Sequence, residues 1–430
     1  MDNNKILVIS GIPFRNDSNL GKTLSALFAK FSPEELVQLY FSPQRPNVKN
    51  CSSYYQINEK QLIRSFGGLN KRKCGCVINA DDIQEQYAVA ETNPAAFISI
   101  RDFILVPIFR DLLWLFSKWR NQKLVKWLNT NQPEVIFATL PGSVKSCKII
   151  KYIAEHCDCP IVLFVTDDYY NDPKLKSGFL RKWYYSWIQR SIDDMAKQVK
   201  YVVGCSDLAA KEFGEKYGVG YEAILTPSGA DFLAMKEKEQ KETYPVVFRY
   251  FGNLGLERWK PLAELGKAIA SDNSEERKAI LEVYSNFMYP DAIAQLDIPN
   301  GCVFKGWVHG DEFMRLLQDA DVAVHVESFS EEMCRRTRLS ISTKIADYLG
   351  AGKCILAIGR DDLASIQHLS QVAEVVGKFE QLQDSVKRLV KDSSLRSNLS
   401  EKARQLAIES HNNKTIATRV KEIIQECKAK

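Results

Sequence analysis

The chain has 430 residues, 45% of them hydrophobic, and 58 Lys and Arg against 53 Asp and Glu leave a net charge of +5. That length suits two or three domains with ample core, and so mild a charge, with no basic tail, argues against a nucleic-acid partner. No run of about eighteen apolar residues occurs, so no spanning helix is expected.

The chain passes from MDNNK straight into KILVIS, so no signal peptide is expected. Eleven cysteines, mostly inside apolar segments, read as reduced, buried thiols of a cytoplasmic protein. Cys74 with Cys76, and His156 with Cys157 and Cys159, lack the two-residue gap that lets one metal be chelated, so no metal is expected.

In chain order, KILVIS reads as a buried strand running into SNLGKTLSALF. Gly21, Lys22 and Thr23 fit the end of a P-loop, whose backbone N–H groups wrap a phosphate. That pattern needs glycine at position 16, where Asn16 stands, and asparagine reaches positive φ less readily. The stretch therefore reads as a β–α loop whose helix begins near Gly21 and points N–H groups beyond the strand's carboxyl end. A P-loop nucleotide hydrolase is the rival.

EELVQLYFS is a second strand. An insertion of about 96–132 then breaks the alternation, and its core, 101–132, is an amphipathic helix or helix pair rich in Trp, Phe, Leu, Arg and Lys. A basic face opposite an aromatic face suits the plane of an anionic membrane. The alternative is a helix packed on the sheet. PEVIFATL, SVKSCKIIKYIAEH, PIVLFVTDD, a helix around FLRKWYYSWIQRSIDDMAKQ, KYVVGCS, DLAAKEFGEKYG and YEAILTPSG resume the alternation. Buried strands alternating with crossover helices mean a parallel, doubly wound sheet.

KEKEQKETYP (236–245) is charged and poor in apolar residues, a linker. The pattern restarts at VVFRYFGNLG and runs through KCILAIG. Two Rossmann-like halves facing across a cleft are expected, an N-terminal domain over 1–240 and a C-terminal one over 246–405. The segment 406–430 holds an amphipathic helix expected to pack back across the hinge.

Open α/β sheets bind ligands at the carboxyl ends of their strands. There the second half carries Asn253, Arg258 and Lys260, then His309, then the polar loop FSEEMCRRTRLS. In ISTKIADYLGAGK, Ser342 and Thr343 read as an N-cap with Lys344 in the first helical turn. A cation there opposes the helix macrodipole, a conflict that an anion held by the helix N–H groups and Lys344 removes. Asp347 lies one turn on, placed to accept from ribose hydroxyls. A phosphate site beside such a carboxylate describes a nucleotide; a surface helix with incidental Lys and Asp is the plain alternative. His325, mid-strand, reads as a core histidine.

YFGNLGLERWKPL, ADVAVHVESF and STKIADYLGAGKCILAIG, in that order, resemble the nucleotide-sugar half of GT-B glycosyltransferases. The nearest group is the large retaining glycosyltransferase 4 type family, found among bacterial capsule and surface-polysaccharide enzymes. KILVISGIPFRNDSNLGKTLSALF, VLFVTDDYY and TPSGAD look like that group's N-terminal domain. The resemblance spans nearly the whole chain and implies an α/β, GT-B fold.

The resemblance also implies roles. Asp347 would hold the donor ribose, and Lys344 with the N–H groups near Ser342 and Thr343 the diphosphate. Arg258 would neutralise the leaving diphosphate, the main catalytic demand as the sugar–phosphate bond breaks. Asn253 stands where the family has Arg, so Arg258, Lys260 or Arg338 would complete the cationic clamp. Gly21, beside Lys22, would line the acceptor side, and Asp167 would lie near the transferred sugar. Thr166 replaces the family's His, and Leu339 its first acidic residue, for which Glu331 or Glu332 is the candidate substitute. The implied protein is a metal-independent glycosyltransferase that needs no cofactor beyond its nucleotide-sugar co-substrate. Its acceptor would be a saccharide or lipid-linked saccharide, at the inner face of a membrane if 101–132 touches one. The three departures leave a second rival, a non-catalytic partner subunit.

Overall fold

A computed structural model describes residues 5–16, 19–66, 74–83, 104–171, 178–228, 244–273, 276, 278–286 and 290–428. It divides into two compact units, Met1–Ile224 with Asn413–Lys430, and Leu225–Asn412.

The first unit carries β1 (Lys5–Ser10), α1 (Asn19–Leu27), β2 (Leu36–Tyr40), β3 (Ser53–Gln56), α2 (Glu59–Phe66), β4 (Cys76–Asn79), α3 (Leu105–Phe116), α4 (Gln122–Asn131), β5 (Pro133–Thr139), α5 (Val144–Cys157), β6 (Ile161–Val165), α6 (Phe179–Ala196), β7 (Val199–Gly204), α7 (Asp207–Tyr217) and β8 (Gly220–Ala223). The sheet order is β4-β3-β2-β1-β5-β6-β7-β8. Every pairing is parallel except β3 with β4. Central strands such as β6 are buried along their whole length, because helices cover both faces of a parallel sheet. The last strand stops at Ala223, earlier than YEAILTPSG suggests.

The segment after residue 104 forms α3 and α4; residues 96–103 lie outside the described residues, as does the expected linker up to residue 243. Trp114, Trp119 and Trp127 all point inward and are buried. The Trp127 indole N–H donates to Ser53 Oγ at 2.8 Å. Asp111, fully buried, accepts from Tyr184 Oη at 2.9 Å and from the Val144 N–H at 3.0 Å, which ties α3 to α5 and α6. The aromatic face expected for a membrane is therefore in large part a packing face. Outside, α3 leaves Leu105, Val106, Phe109 and Phe116 exposed.

The second unit carries β9 (Val246–Phe251), α8 (Trp259–Asp272), β10 (Ala279–Tyr284), α9 (Pro290–Ala294), β11 (Cys302–Gly306), α10 (Gly310–Asp319), β12 (Val322–Val326), α11 (Glu331–Thr337), α12 (Thr343–Gly350), β13 (Cys354–Ile358), α13 (Ala364–Leu369), β14 (Glu374–Val376), α14 (Leu382–Lys391) and α15 (Ser393–Ser410). Its sheet is wholly parallel, in the order β11-β10-β9-β12-β13-β14. Counted from β9, that is 3-2-1-4-5-6, the doubly wound order, and the direction of winding reverses between β9 and β12.

The final helix, α16 (Asn413–Lys428), belongs to the first unit. Ile416, Ala417, Val420, Ile423, Ile424 and Cys427 recur at helical spacing and join the core of Ile6, Val8 and Phe137. Arg419 pairs with Glu222 at 2.8 Å. Just before this helix, the His411 Nδ1–H donates to Thr226 O at 2.7 Å, so its Nε2 must accept from His368 Nε2–H at 2.9 Å. Burial holds both imidazoles neutral, with pKa values pushed down to about 4.

Candidate functional site

The reversal point between β9 and β12 is where an open α/β sheet leaves a crevice at its carboxyl edge. Four groups gather along that edge of the second unit: the β9–α8 turn, the end of β12, Phe313 on α10, and the N-terminus of α12.

Arg258 caps α8 at its N-terminal end. Its guanidinium donates from Nε to Glu327 Oε2 at 3.1 Å and from Nη2 to both carboxylate oxygens at 2.9 Å. The Glu327 side chain is only 3% exposed and that of Arg258 20%. Burial alone would lower the Arg258 pKa, but the adjoining carboxylate outweighs it and holds the guanidinium charged. Behind them, His325 is buried in β12 with Nε2 3.7 Å from Glu327 Oε1. Burial pushes its pKa down to about 4, so it is neutral, the core histidine that its mid-strand position suggests.

The turn that delivers Arg258 is unusual. Leu256 and Glu257 have φ of 58° and 59°, two successive left-handed residues without glycine. Asn253 is exposed, accepts from the Gly255 N–H, and offers its carbonyl to Tyr250 Oη at 2.9 Å. Lys260 turns outward to Glu257 at 2.9 Å.

The start of α12 has the geometry read from STKIADYLGAGK. Ser342 caps it, its side chain accepting from the Lys344 N–H at 3.4 Å, and Thr343 is the first helical residue. Lys344 Nζ lies 3.6 Å from Asp347 Oδ2 and 4.0 Å from the Phe313 ring centroid. Tyr348, one residue beyond Asp347, bonds both the N–H and the carbonyl of Phe251, each at 3.2 Å, which anchors α12 to the end of β9. Gly352 (φ 60°) supplies the left-handed turn that lets β13 follow closely. Arg338 follows α11, where its carbonyl accepts from Ala364 N at 2.9 Å. Leu339 is fully buried. Glu331, exposed, bonds Arg335 at 2.8 Å and Arg360 at 2.6 Å.

In the first unit, Gly21 is buried inside α1, which begins two residues earlier, and Lys22 is exposed on the same helix. Asn16 and Asn47 exchange hydrogen bonds of 3.0 and 2.7 Å, which pins the loop where a P-loop would have its first glycine. Asp167 lies past the carboxyl end of β6, within 3.3 Å of Thr166 Oγ1 and 3.4 Å of Tyr169 Oη. Asp168 is buried and accepts from the Asn171 N–H at 2.9 Å. Gly21, Lys22 and Asp167 belong to the first unit, while the other candidates belong to the second.

Glu327 is the residue that sequence reasoning did not single out. Its signal was there, a carboxylate at the end of VAVHV, an otherwise apolar strand on the reversing side of the sheet. Its partner lies 69 residues earlier and has no local signature.

Residues 247–424 match a family model described as glycosyl transferase-like. No curated protein matches the chain in sequence. Among solved structures, HepE from Anabaena in complex with UDP is similar at a TM-score of 0.61 and 14% identity, covering 98% of this chain and 100% of its own. Sucrose-phosphate synthase from Thermosynechococcus elongatus is similar at 0.61 and 11%, covering 99% of each chain. WaaG, a glycosyltransferase involved in lipopolysaccharide biosynthesis, is similar at 0.58 and 12%, covering 97% of this chain and 99% of its own. The architecture, α/β with two Rossmann-like units, is that of the GT-B glycosyltransferases.

Proposed function

We propose that this protein is a glycosyltransferase. It moves a hexose from a nucleotide sugar to a saccharide or lipid-linked saccharide in surface-polysaccharide synthesis, with retention of configuration and without a metal. The observation that carries this reading is Lys344 and Asp347 side by side in the first turns of α12, at the carboxyl edge of the sheet. The glycosyl transferase-like match over this half, and the UDP and UDP-glucose complexes of the similar HepE, support it.

In this reading the N–H groups at Ser342–Lys344 and the Lys344 ammonium receive the diphosphate, and Asp347 accepts from the ribose hydroxyls. Negative charge grows on the diphosphate as the bond to the sugar breaks, and fixed donors aimed at it lower that barrier. Asp167 and the β1–α1 loop near Gly21 serve the transferred sugar and the acceptor.

A thermal-shift series with UDP, GDP, ADP and ATP, with and without EDTA, tests it. A ligand that binds only the folded chain raises the melting temperature with concentration. One nucleoside diphosphate is expected to stabilise the protein, unaffected by EDTA, and Asp347→Ala is expected to abolish the shift. Stabilisation by a triphosphate only with Mg²⁺ would hand the site to Gly21-Lys22-Thr23 instead, and no shift at all would favour the non-catalytic subunit.

A lipid-linked acceptor would bring the protein to the cytoplasmic face of a membrane, through the segment after residue 104. Among the described residues no helix is long and apolar enough to cross one. Leu105, Val106, Phe109 and Phe116 on α3, with Phe179, Leu180 and Trp183 on the adjoining α6, are exposed near Arg110, Lys118 and Lys182. Exposed apolar side chains with exposed cations adjacent in sequence suit an anionic lipid surface. The protein is expected to co-sediment with phosphatidylglycerol vesicles and not with phosphatidylcholine ones. Phe109→Asp with Phe116→Asp should release it, and retention of the double variant on the vesicles would refute this contact.

A further inference from the structure

We infer that Glu327 and the left-handed turn at Leu256–Glu257 form a device that orients Arg258 in the donor site, so that Glu327 is a positioning residue for the diphosphate-binding cation. This rests on the glycosyltransferase reading.

Three observations carry it. The first is the direction of the guanidinium. Its Nε and Nη2 edge faces Glu327, which leaves Nη1 on the opposite side of the planar group. An arginine has five N–H donors in a fixed fork, so it can be gripped by a carboxylate on one edge and still serve an anion on another.

The second is the backbone. A left-handed conformation costs an ordinary residue about 1–2 kcal/mol, and here two adjacent non-glycine residues adopt it immediately before Arg258. Strain of this kind persists where surrounding structure imposes it, and it concentrates at functional sites.

The third is economy of charge. A buried ion pair is a poor stabiliser compared with well-packed apolar side chains, yet this one stands at the sheet's reversal point with a neutral histidine behind it. His325 Nε2 has no hydrogen-bond partner among the described residues. Neutral, it adds no second cation beside the carboxylate that grips Arg258.

The test is UDP affinity by calorimetry, with GDP and ADP in parallel, alongside the melting temperature of each unliganded variant. Glu327→Gln is expected to weaken binding of the nucleoside diphosphate about tenfold, the scale of one charge-assisted hydrogen bond misplaced. Glu327→Asp should recover part of that loss. In the Arg258→Met background, Glu327→Gln should have no further effect on UDP affinity. The sign is decisive: deleting a negative charge near an anion would otherwise strengthen binding, and a merely structural role would lower the melting temperature without changing the affinity of folded protein. Leu256→Gly, which relieves the strained position, should hold or raise the melting temperature while weakening UDP. Unchanged or tighter binding by Glu327→Gln overturns the inference. A wild-type protein that binds none of the three diphosphates overturns the glycosyltransferase reading itself, and this inference with it.

Discussion

Lys344→Ala is expected to lower turnover about 100- to 1,000-fold, the usual loss when one preorganised donor to a developing oxyanion is removed. The ammonium sits in the first turn of α12, where the helix N-terminus already concentrates partial positive charge. Asp347 at 3.6 Å and the Phe313 ring hold it near the carboxyl edge of the sheet. The macrodipole opposes a cation there and a partly exposed i,i+3 pair with Asp347 contributes little, so the substitution should leave the unliganded protein as stable as before, to within about 0.5 kcal/mol. Donor turnover and the thermal shift by UDP are the measurements, with Lys22→Ala as control. Lys22 is exposed on α1, in the other unit, and its substitution should change the UDP shift far less than Lys344→Ala does. Wild-type turnover in Lys344→Ala would remove the anion site from α12.

Arg258→Met should destabilise the fold by about 3–5 kcal/mol, the range for leaving one member of a buried pair uncompensated. Glu327 would keep its carboxylate at 3% exposure with no cation beside it. The loss reads out as a lower urea midpoint at unchanged slope. Adding Glu327→Gln should restore part of it, because the stranded charge is gone while the packing is kept. A loss under about 1 kcal/mol would assign the pair the behaviour of an exposed salt bridge, and the mechanical role of Glu327 would then be hard to sustain.

The elements that periodicity revealed were long and local. KILVIS, PIVLFVTDD and DVAVHVES became β1, β6 and β12, because unbroken apolar runs bounded by polar turns have few alternatives in an α/β chain. Ser342 as cap and Lys344 in the first turn were legible for the same reason, since capping acts within four residues. Short strands were not. Ser53–Gln56 and Cys76–Asn79 are four residues each and pair antiparallel, with no run long enough to show a period. In the segment after residue 104, amphipathicity was plain but its direction was not. A helix with apolar residues on two sides can turn either one inward, and the buried Asp111, held by Tyr184 and Val144, marks the side that packs.

By itself, then, the sequence determined the alternation of strands and helices, the restart after residue 245, and the cap and cation of α12, all set by interactions within a few residues. Only the tertiary structure decided that Arg258 meets Glu327. That meeting depends on β9 and β12 lying side by side, with Val322 opposite Phe248 and Val324 opposite Tyr250. Strand neighbours in a doubly wound sheet are chosen by how crossover helices bury their apolar faces, a choice made by the whole unit and written at no single position.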